Sequence, residues 1–130
     1  MFVLEMVVRD YELDYEGIVN NANYLHYLEH TRHEFCRERG LTFASMHRMG
    51  LDPVLSHIDA SYLTPLRADD RFRSCLTMKR RGPKFEFHQD IYKEDGTPVL
   101  KAVVTVACLE NGRLSRGDRL ADAFGLTDEA

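Results

Sequence analysis

Asp14 stands two residues after Glu12 and three before Gly17, within the run RDYELDYEGIVNNANYLHYLEHTRHE at residues 9–34. The apolar pair Ile18 and Val19 then leads into Asn20, Asn21, Ala22, Asn23 and Tyr24, where an amphipathic helix is expected to start. A loop carboxylate is thereby placed just ahead of a helix N-terminus. That end carries unpaired N–H groups and partial positive charge, which suit an anion or a developing oxyanion. A carboxylate beside such a site can serve acyl-transfer chemistry, with hydrolysis the reaction to test. An isolated loop aspartate is ordinarily a turn former that caps local backbone; the spacing to Gly17 and to the helix start is what favours the chemical reading. By alternation Glu12 points the other way, so it is read as supporting the site.

Other constellations carry less. His26, His30 and His33 fall at i, i+4 and i+7 on the polar side of the helix. Two histidines four apart can share a metal, but a further ligand would have to come from off the helix, and a solvated polar face explains them as well. His33-Glu34 opens a possible HExxH, yet its fifth position is Arg37. GxSxG, GxGxxG and GxxxxGK[ST] are all missing, which removes an α/β-hydrolase elbow, a dinucleotide fingerprint and a P-loop. Arg80, Arg81 and Lys84 surround the Gly82-Pro83 turn; they are either a solvated hairpin tip or point-charge contacts to a phosphorylated carrier arm such as coenzyme A. Arg113 and Arg116 form a weaker second cluster. Cys36, Cys75 and Cys108 are odd in number and form no CxxC, so they read as reduced, small hydrophobes.

These groups must be positioned by a chain of 130 residues, 44% hydrophobic and 29% charged, which reads as one domain with a real core, spanning the whole chain. The net charge of −4 gives no bulk attraction to nucleic acid. No apolar run approaches the ~20 residues of a membrane helix. The start, MFVLEMVVRD, lacks the basic segment and cleavage site of a signal peptide, so a cytoplasmic protein is expected.

The elements follow from periodicity. Residues 2–9 read as a strand with Phe2, Leu4, Met6 and Val8 on one face, and residues 10–20 as a loop held by Gly17. A helix is expected from about residue 21 to 39, with Tyr24, Leu28, Thr31 and Phe35 as its apolar stripe and Gly40 as its stop. Residues 42–49 add one or two helical turns, capped by Thr42 and ended at Gly50. After Pro53 the period becomes 2. Val54, Ile58, Ala60 and Tyr62 share a face; so do Phe72, Ser74, Leu76 and Met78; then Phe85, Phe87, Gln89 and Ile91; then Leu100, Ala102, Val104, Val106 and Cys108. Asp95-Gly96 is a hairpin signal, and Asn111-Gly112 ends the last strand. The fold class is therefore α+β: an antiparallel sheet of about five strands wrapped around one long central helix. The last 15 or so residues read as a short helix packed on the edge or a loose tail. Unpaired sheet edges invite a second copy, so at least a homodimer is expected.

The run DYELDYEGIVNNANYLHYLEHTRHE resembles the N-terminal motif of hotdog-fold thioesterases of the 4-hydroxybenzoyl-CoA thioesterase-like group. VNNANY and HTRHEF are especially similar to plant plastid acyl-ACP thioesterases of single-hotdog type and to bacterial long-chain acyl-CoA thioesterases. The segment IDASYLTPLR at residues 58–67 is similar to that family's second strand, and Asp69-Asp70 to the turn after it. The resemblance extends over nearly the whole chain. It implies a dimer that joins two sheets into one surface, often paired into tetramers, with active sites at the dimer interface. It places the catalytic aspartate on Asp14 and the oxyanion-hole N–H on Asn21, and loosely aligns Arg81 and Lys84 with the hairpin that binds carrier phosphates. Ile18, Val19 and Tyr24 are expected to line the acyl channel, with Gly17 beside them as a further substrate-binding residue; for Ile18, Val19 and Tyr24 the other reading is plain core packing. Many bacterial relatives have Tyr-His where this chain has Asn20-Asn21, and the asparagine pair points to fatty acyl over hydroxybenzoyl groups. No cofactor is implied; coenzyme A, or the phosphopantetheine of an acyl carrier protein, enters as part of the substrate. Asp14 acts either as nucleophile or as general base, and the residues leave both open. The rival activities are a hotdog hydratase or dehydratase, and a non-hydrolytic acyl-thioester binding protein.

Overall fold

Strand formation in the second half of the chain follows its period-2 pattern, and the inward faces of three strands are as expected. Phe72, Ser74, Leu76 and Met78, then Phe85, Phe87, Gln89 and Ile91, then Leu100, Ala102, Val104, Val106 and Cys108 are all buried. The structure, a computed structural model, describes residues 1–126. In chain order it contains β1 (Phe2–Val7), a 3-10 turn (Asp10–Glu12), α1 (Asn21–Glu38), α2 (Phe43–Arg48), β2 (Leu51–Tyr62), β3 (Arg71–Arg81), β4 (Lys84–Lys93), β5 (Pro98–Glu110), β6 (Arg113–Leu114) and α3 (Asp118–Phe124). The sheet runs β1-β3-β4-β5-β2, with β6 paired to β5, and every pairing is antiparallel.

Three expectations need correcting. The helical part is not one long central helix: α1 has 18 residues, and the rest is divided between α2 with six and α3 with seven. Gly40, in the left-handed region at φ +74°, turns the chain out of α1, and the Thr42 side chain restarts it by accepting from Ser45 N–H at 3.0 Å. Second, Asn111 and Gly112 do more than end a strand. Both have positive φ (52° and 81°), as a tight two-residue hairpin requires, and the chain returns as β6. Third, Val54 does not share a face with Ile58. The register of β2 on β5 shifts between Leu55 and His57, so Leu55 pairs with the core residue Val106 and Ile58 with the core residue Val104, while Val54 pairs with Ala107 on the opposite face. One extra residue in a strand inverts its side-chain phase. β2 also begins at Leu51, ahead of Pro53, which an edge strand tolerates.

α1 is seated on the sheet by its apolar stripe and by buried polar bonds. Tyr24, Tyr27, Leu28, Phe35 and Cys36 enter the core. Thr31 Oγ1 and Ser74 Oγ of β3 lie 2.7 Å apart, and Gln89 of β4 donates from Nε2 to the Leu28 carbonyl at 3.0 Å. Because these partners are buried, each bond also sets the rotation of α1 about its axis. In α3, Leu120, Ala121 and Phe124 are buried, so the chain after β6 packs as a short helix; the last part of the expected tail, residues 127–130, lies outside the described residues. Among the described residues no helix is long and apolar enough to cross a membrane.

Candidate active site

The loop ahead of α1 is stitched to its surroundings by backbone bonds. Asp14 N–H donates to Ile18 O (2.9 Å), Gly17 N–H to Asp14 O (3.1 Å), and Val19 N–H to Leu66 O (2.9 Å). Isolated bridges join Leu13 to Val19 and Ile18 to Arg67. Gly17 has φ +81°, a conformation that closes the turn and that other residues rarely adopt. Asp14 is half-buried, and its Oδ1 accepts from Glu16 N–H at 2.8 Å, as loop aspartates do. Its Oδ2 has no hydrogen-bond partner among the described residues.

At the start of α1, the Asn20 side chain accepts from Ala22 N–H at 3.0 Å, and the Asn20 carbonyl accepts from Asn23 N–H at 2.9 Å. Among the described residues none accepts from Asn21 N–H, so it is the N–H of the first turn left for an outside oxygen. A nearby phenol, Tyr62, donates to the Asn21 carbonyl at 3.4 Å. A free carboxylate oxygen and a free helix N–H thus sit on two consecutive, mutually bonded segments.

Glu12 is turned inward, only 7% exposed, by the 3-10 turn that the alternation argument did not contain. Its Oε1 accepts from Arg9 N–H (2.7 Å) and from Tyr27 O–H (2.9 Å). Its carbonyl accepts from Asn20 N–H (3.0 Å) and from Asn23 Nδ2 (2.8 Å). Burial, and then the bond to this carboxylate, push the Tyr27 phenol well above its ordinary range. Neither Tyr27 nor Asn23 stood out in the sequence. The signal available for Glu12 was its place three residues after Arg9, the spacing of a capping box.

The structure separates the remaining candidates. Val19 (1% exposed) and Tyr24 (3%) pack in the core, and the Tyr24 phenol accepts from Leu66 N–H at 2.9 Å; Ile18 is half-buried. Arg81 and Lys84 lie at the far end of β3 from the Asp14 loop, which is tied to the chain just before β3. At ~3.3 Å per residue the length of that strand puts them roughly 30 Å away in the same protomer. Arg81 Nε is 3.1 Å from Glu86 Oε1, and the His88 bond, then Arg81, hold the Glu86 carboxyl low. Arg80 instead straps α3 to the hairpin, donating to Gly82 O, Arg116 O and Asp118 Oδ1. Along α1, His26 meets Asn23, and His33 packs against Phe43 at 4.5 Å; among the described residues no three His, Cys, Asp or Glu side chains are arranged to hold a metal.

A cavity of about 280 Å³ lies beside the second half of α1, between Cys36, Phe43, Met46, Leu120 and Phe124, with Arg32 at its polar side. Its nearest α1 residue, Glu29, is eight positions past Asn21, roughly 12 Å along the axis, and no residue of the Asp14 loop lines it.

Comparison with known proteins identifies the family of the chain. The model of the thioesterase-like superfamily matches residues 8–124. A relative in Aquifex aeolicus (strain VF5), named as an esterase, is 35% identical over 114 residues, covering 87% of this chain and 88% of that one. Acyl-acyl carrier protein thioesterase ATL2, chloroplastic, of Arabidopsis thaliana is 36% identical over 114 residues; the match covers 83% of this chain and 58% of the plant protein. The crystal structure of a hypothetical protein from Aquifex aeolicus superposes with a TM-score of 0.87 at 32% identity, covering 95% of this chain and 98% of that one. The resemblance carried by residues 9–34 thus holds across the fold, and the chain belongs to the thioesterase-like superfamily.

Proposed function

We propose that this protein hydrolyses acyl thioesters, releasing a free acid and a thiol. The observation that carries the reading is the pairing of a loop carboxylate, Asp14, with the uncommitted N–H of Asn21 across a junction bonded from both sides. The thioester oxygen turns toward Asn21 N–H, where the α1 terminus stabilises negative charge as the carbonyl is attacked. Asp14 either adds to the carbonyl, giving a mixed anhydride that water then opens, or takes a proton from the attacking water. The leaving thiolate, with a reference pKa of about 8.5, needs little acid assistance. No cofactor takes part; coenzyme A or an acyl carrier protein's phosphopantetheine arrives with the acyl group. The Asn20-Asn21 pair and the kinship with the plant acyl-ACP enzyme support a fatty acyl substrate. The active form is proposed as a homodimer with sites at its interface, paired further into a tetramer. Arg81 and Lys84, remote from Asp14 in their own protomer, would then meet the carrier phosphates of a site built with a second copy.

The test is thiol release from acyl-CoAs and acyl-ACPs of graded chain length by wild type and Asp14→Asn. Release that falls by at least ~100-fold in the variant supports the reading, since general-base groups contribute on that scale. Release that persists in the variant moves the chemistry off Asp14, and binding with no release makes the protein a carrier of acyl thioesters.

A further inference from the structure

One hydrogen bond, Asn20 N–H to Glu12 O at 3.0 Å, joins the loop to the start of α1. Asp14 lies two residues beyond one end of it, and Asn21 one residue beyond the other. Whatever holds that bond therefore sets the carboxylate against the oxyanion N–H. Glu12 holds it from three further directions: its carbonyl also takes Asn23 Nδ2, and its carboxylate takes Tyr27 O–H, a full turn further along α1, and the N–H of Arg9, which caps the 3-10 turn two residues past β1. Removing a carboxylate from water is costly, and an apolar side chain of similar size would fill the same space without that cost. The carboxylate's distinguishing property here is that one oxygen accepts at once from the cap of its own turn and from α1.

We infer that the Glu12 side chain is a positioning group, which through Tyr27 locks the Asp14 loop onto α1, beside the bonds that its backbone carbonyl makes to Asn20 and Asn23, and so sets the geometry of the proposed hydrolysis. It touches no substrate. The inference rests on the hydrolase reading for its effect on rate, but not for its effect on the junction.

Two measurements separate these. Thiol release from dodecanoyl-CoA is followed for wild type, Glu12→Ala, Glu12→Gln, Tyr27→Phe and Asp14→Asn. Glu12→Ala should lower kcat on the order of 10- to 100-fold, the scale of a misplacement of up to about 1 Å, with KM nearly unchanged. Glu12→Gln should recover kcat to within about threefold, because an amide oxygen also accepts from Arg9 N–H and Tyr27 O–H, and the exposed Arg9 side chain, whose Nη1 donates to Glu12 Oε2 at 3.4 Å, can swing away from the new amide. Tyr27→Phe should fall between them. Wild-type kcat in Glu12→Ala, or a loss carried by KM alone, would overturn the inference. Equal inactivity of Gln and Ala would also overturn it, since Glu12 would then act through its charge or proton.

The second measurement is amide hydrogen exchange at Asp14 and Asn20. Both should exchange at least about tenfold faster in Glu12→Ala while β3 and β4 amides keep their rates, as expected for local opening. Tyr27→Phe, which keeps the buried ring, serves if Glu12→Ala does not fold. Unchanged exchange refutes the junction whatever the activity shows. Faster exchange with no thiol release by wild type would sink the hydrolase reading alone, and full activity in Asp14→Asn would move the chemistry off Asp14 while leaving the junction in place.

Discussion

Tyr24→Phe isolates a single hydrogen bond in the framework of the site. The ring is 3% exposed and meets Tyr27 and Tyr62 edge-on, at centroid distances of 6.0 and 5.4 Å. Phenylalanine keeps that volume and those contacts. What it loses is the phenol oxygen, which accepts from the N–H of Leu66, a residue with no exposed surface. That N–H would be left buried without an acceptor, a cost of about 1–3 kcal/mol. With an unfolding entropy of ~2.1 cal/mol/K per residue, a chain of this length should melt about 4–11 °C lower. Leu66 O also accepts from Val19 N–H at 2.9 Å, so the loss reaches the segment between Asp14 and α1. The assay is thermal and urea unfolding of both proteins by circular dichroism. The urea slope should be unchanged, because the surface exposed on unfolding is the same. A melting point within about 1 °C of wild type would refute the argument, since no buried N–H of this kind is so cheap to orphan.

Two further outcomes are expected. Gly117→Ala should destabilise by about 2–4 kcal/mol, because Gly117 has φ +81° and a new Cβ would lie 2.9 Å from the buried Phe85 ring and 3.2 Å from Pro83 O. Gly125→Ala, with positive φ but nothing within 4 Å, should cost only about 1 kcal/mol in the same urea titration, and equal losses would refute the clash. Stability should also fall above about pH 10. The Tyr24 and Tyr27 phenols are raised above their ordinary value, chiefly by burial, so the folded state keeps protons that the unfolded chain sheds there. Their contribution is complete below that pH and drains as the pH rises toward the folded-state values; a urea midpoint flat to pH 11 would contradict this.

The parts legible in the sequence are those fixed by short-range patterns. The inward faces of β3, β4 and β5, the Gly40 stop and the Thr42 cap each depend on residues no more than a few positions apart. The face of Val54 is not legible in the sequence because a bulge has no hydrophobic signature: Ser56 shifts the phase, and only pairing with β5 reveals it. A strand-like alternation turns Glu12 away from the site, and its 3-10 turn does not obey that alternation. Its partners Tyr27 and Asn23 lie 15 and 11 residues away, beyond any local rule. Arg81 and Lys84 could be placed on a hairpin from Gly82-Pro83, but their distance from Asp14 needed the register of β3.

The buried polar residues show what this core is built to hold. Four such residues are found among those described: Glu12, Thr31, Ser74 and Gln89. Thr31 and Ser74 bond each other, Gln89 reaches the Leu28 carbonyl while accepting from Arg32, and Glu12 reaches Tyr27. Three of these ties fix α1 against the sheet, and the fourth fixes the Asp14 loop against α1. Apolar replacements of similar volume would often match their stability, so their distinctive contribution is orientation. An apolar stripe alone holds a helix loosely about its axis, and each residue of slip would turn the N-terminus by about 100°. On the proposed reading that looseness would be fatal, because the oxyanion donor is a backbone N–H and has no rotamer with which to re-aim. A site made from a helix end and a loop carboxylate needs the helix rotation and the loop position set separately, and these buried bonds do that in two steps.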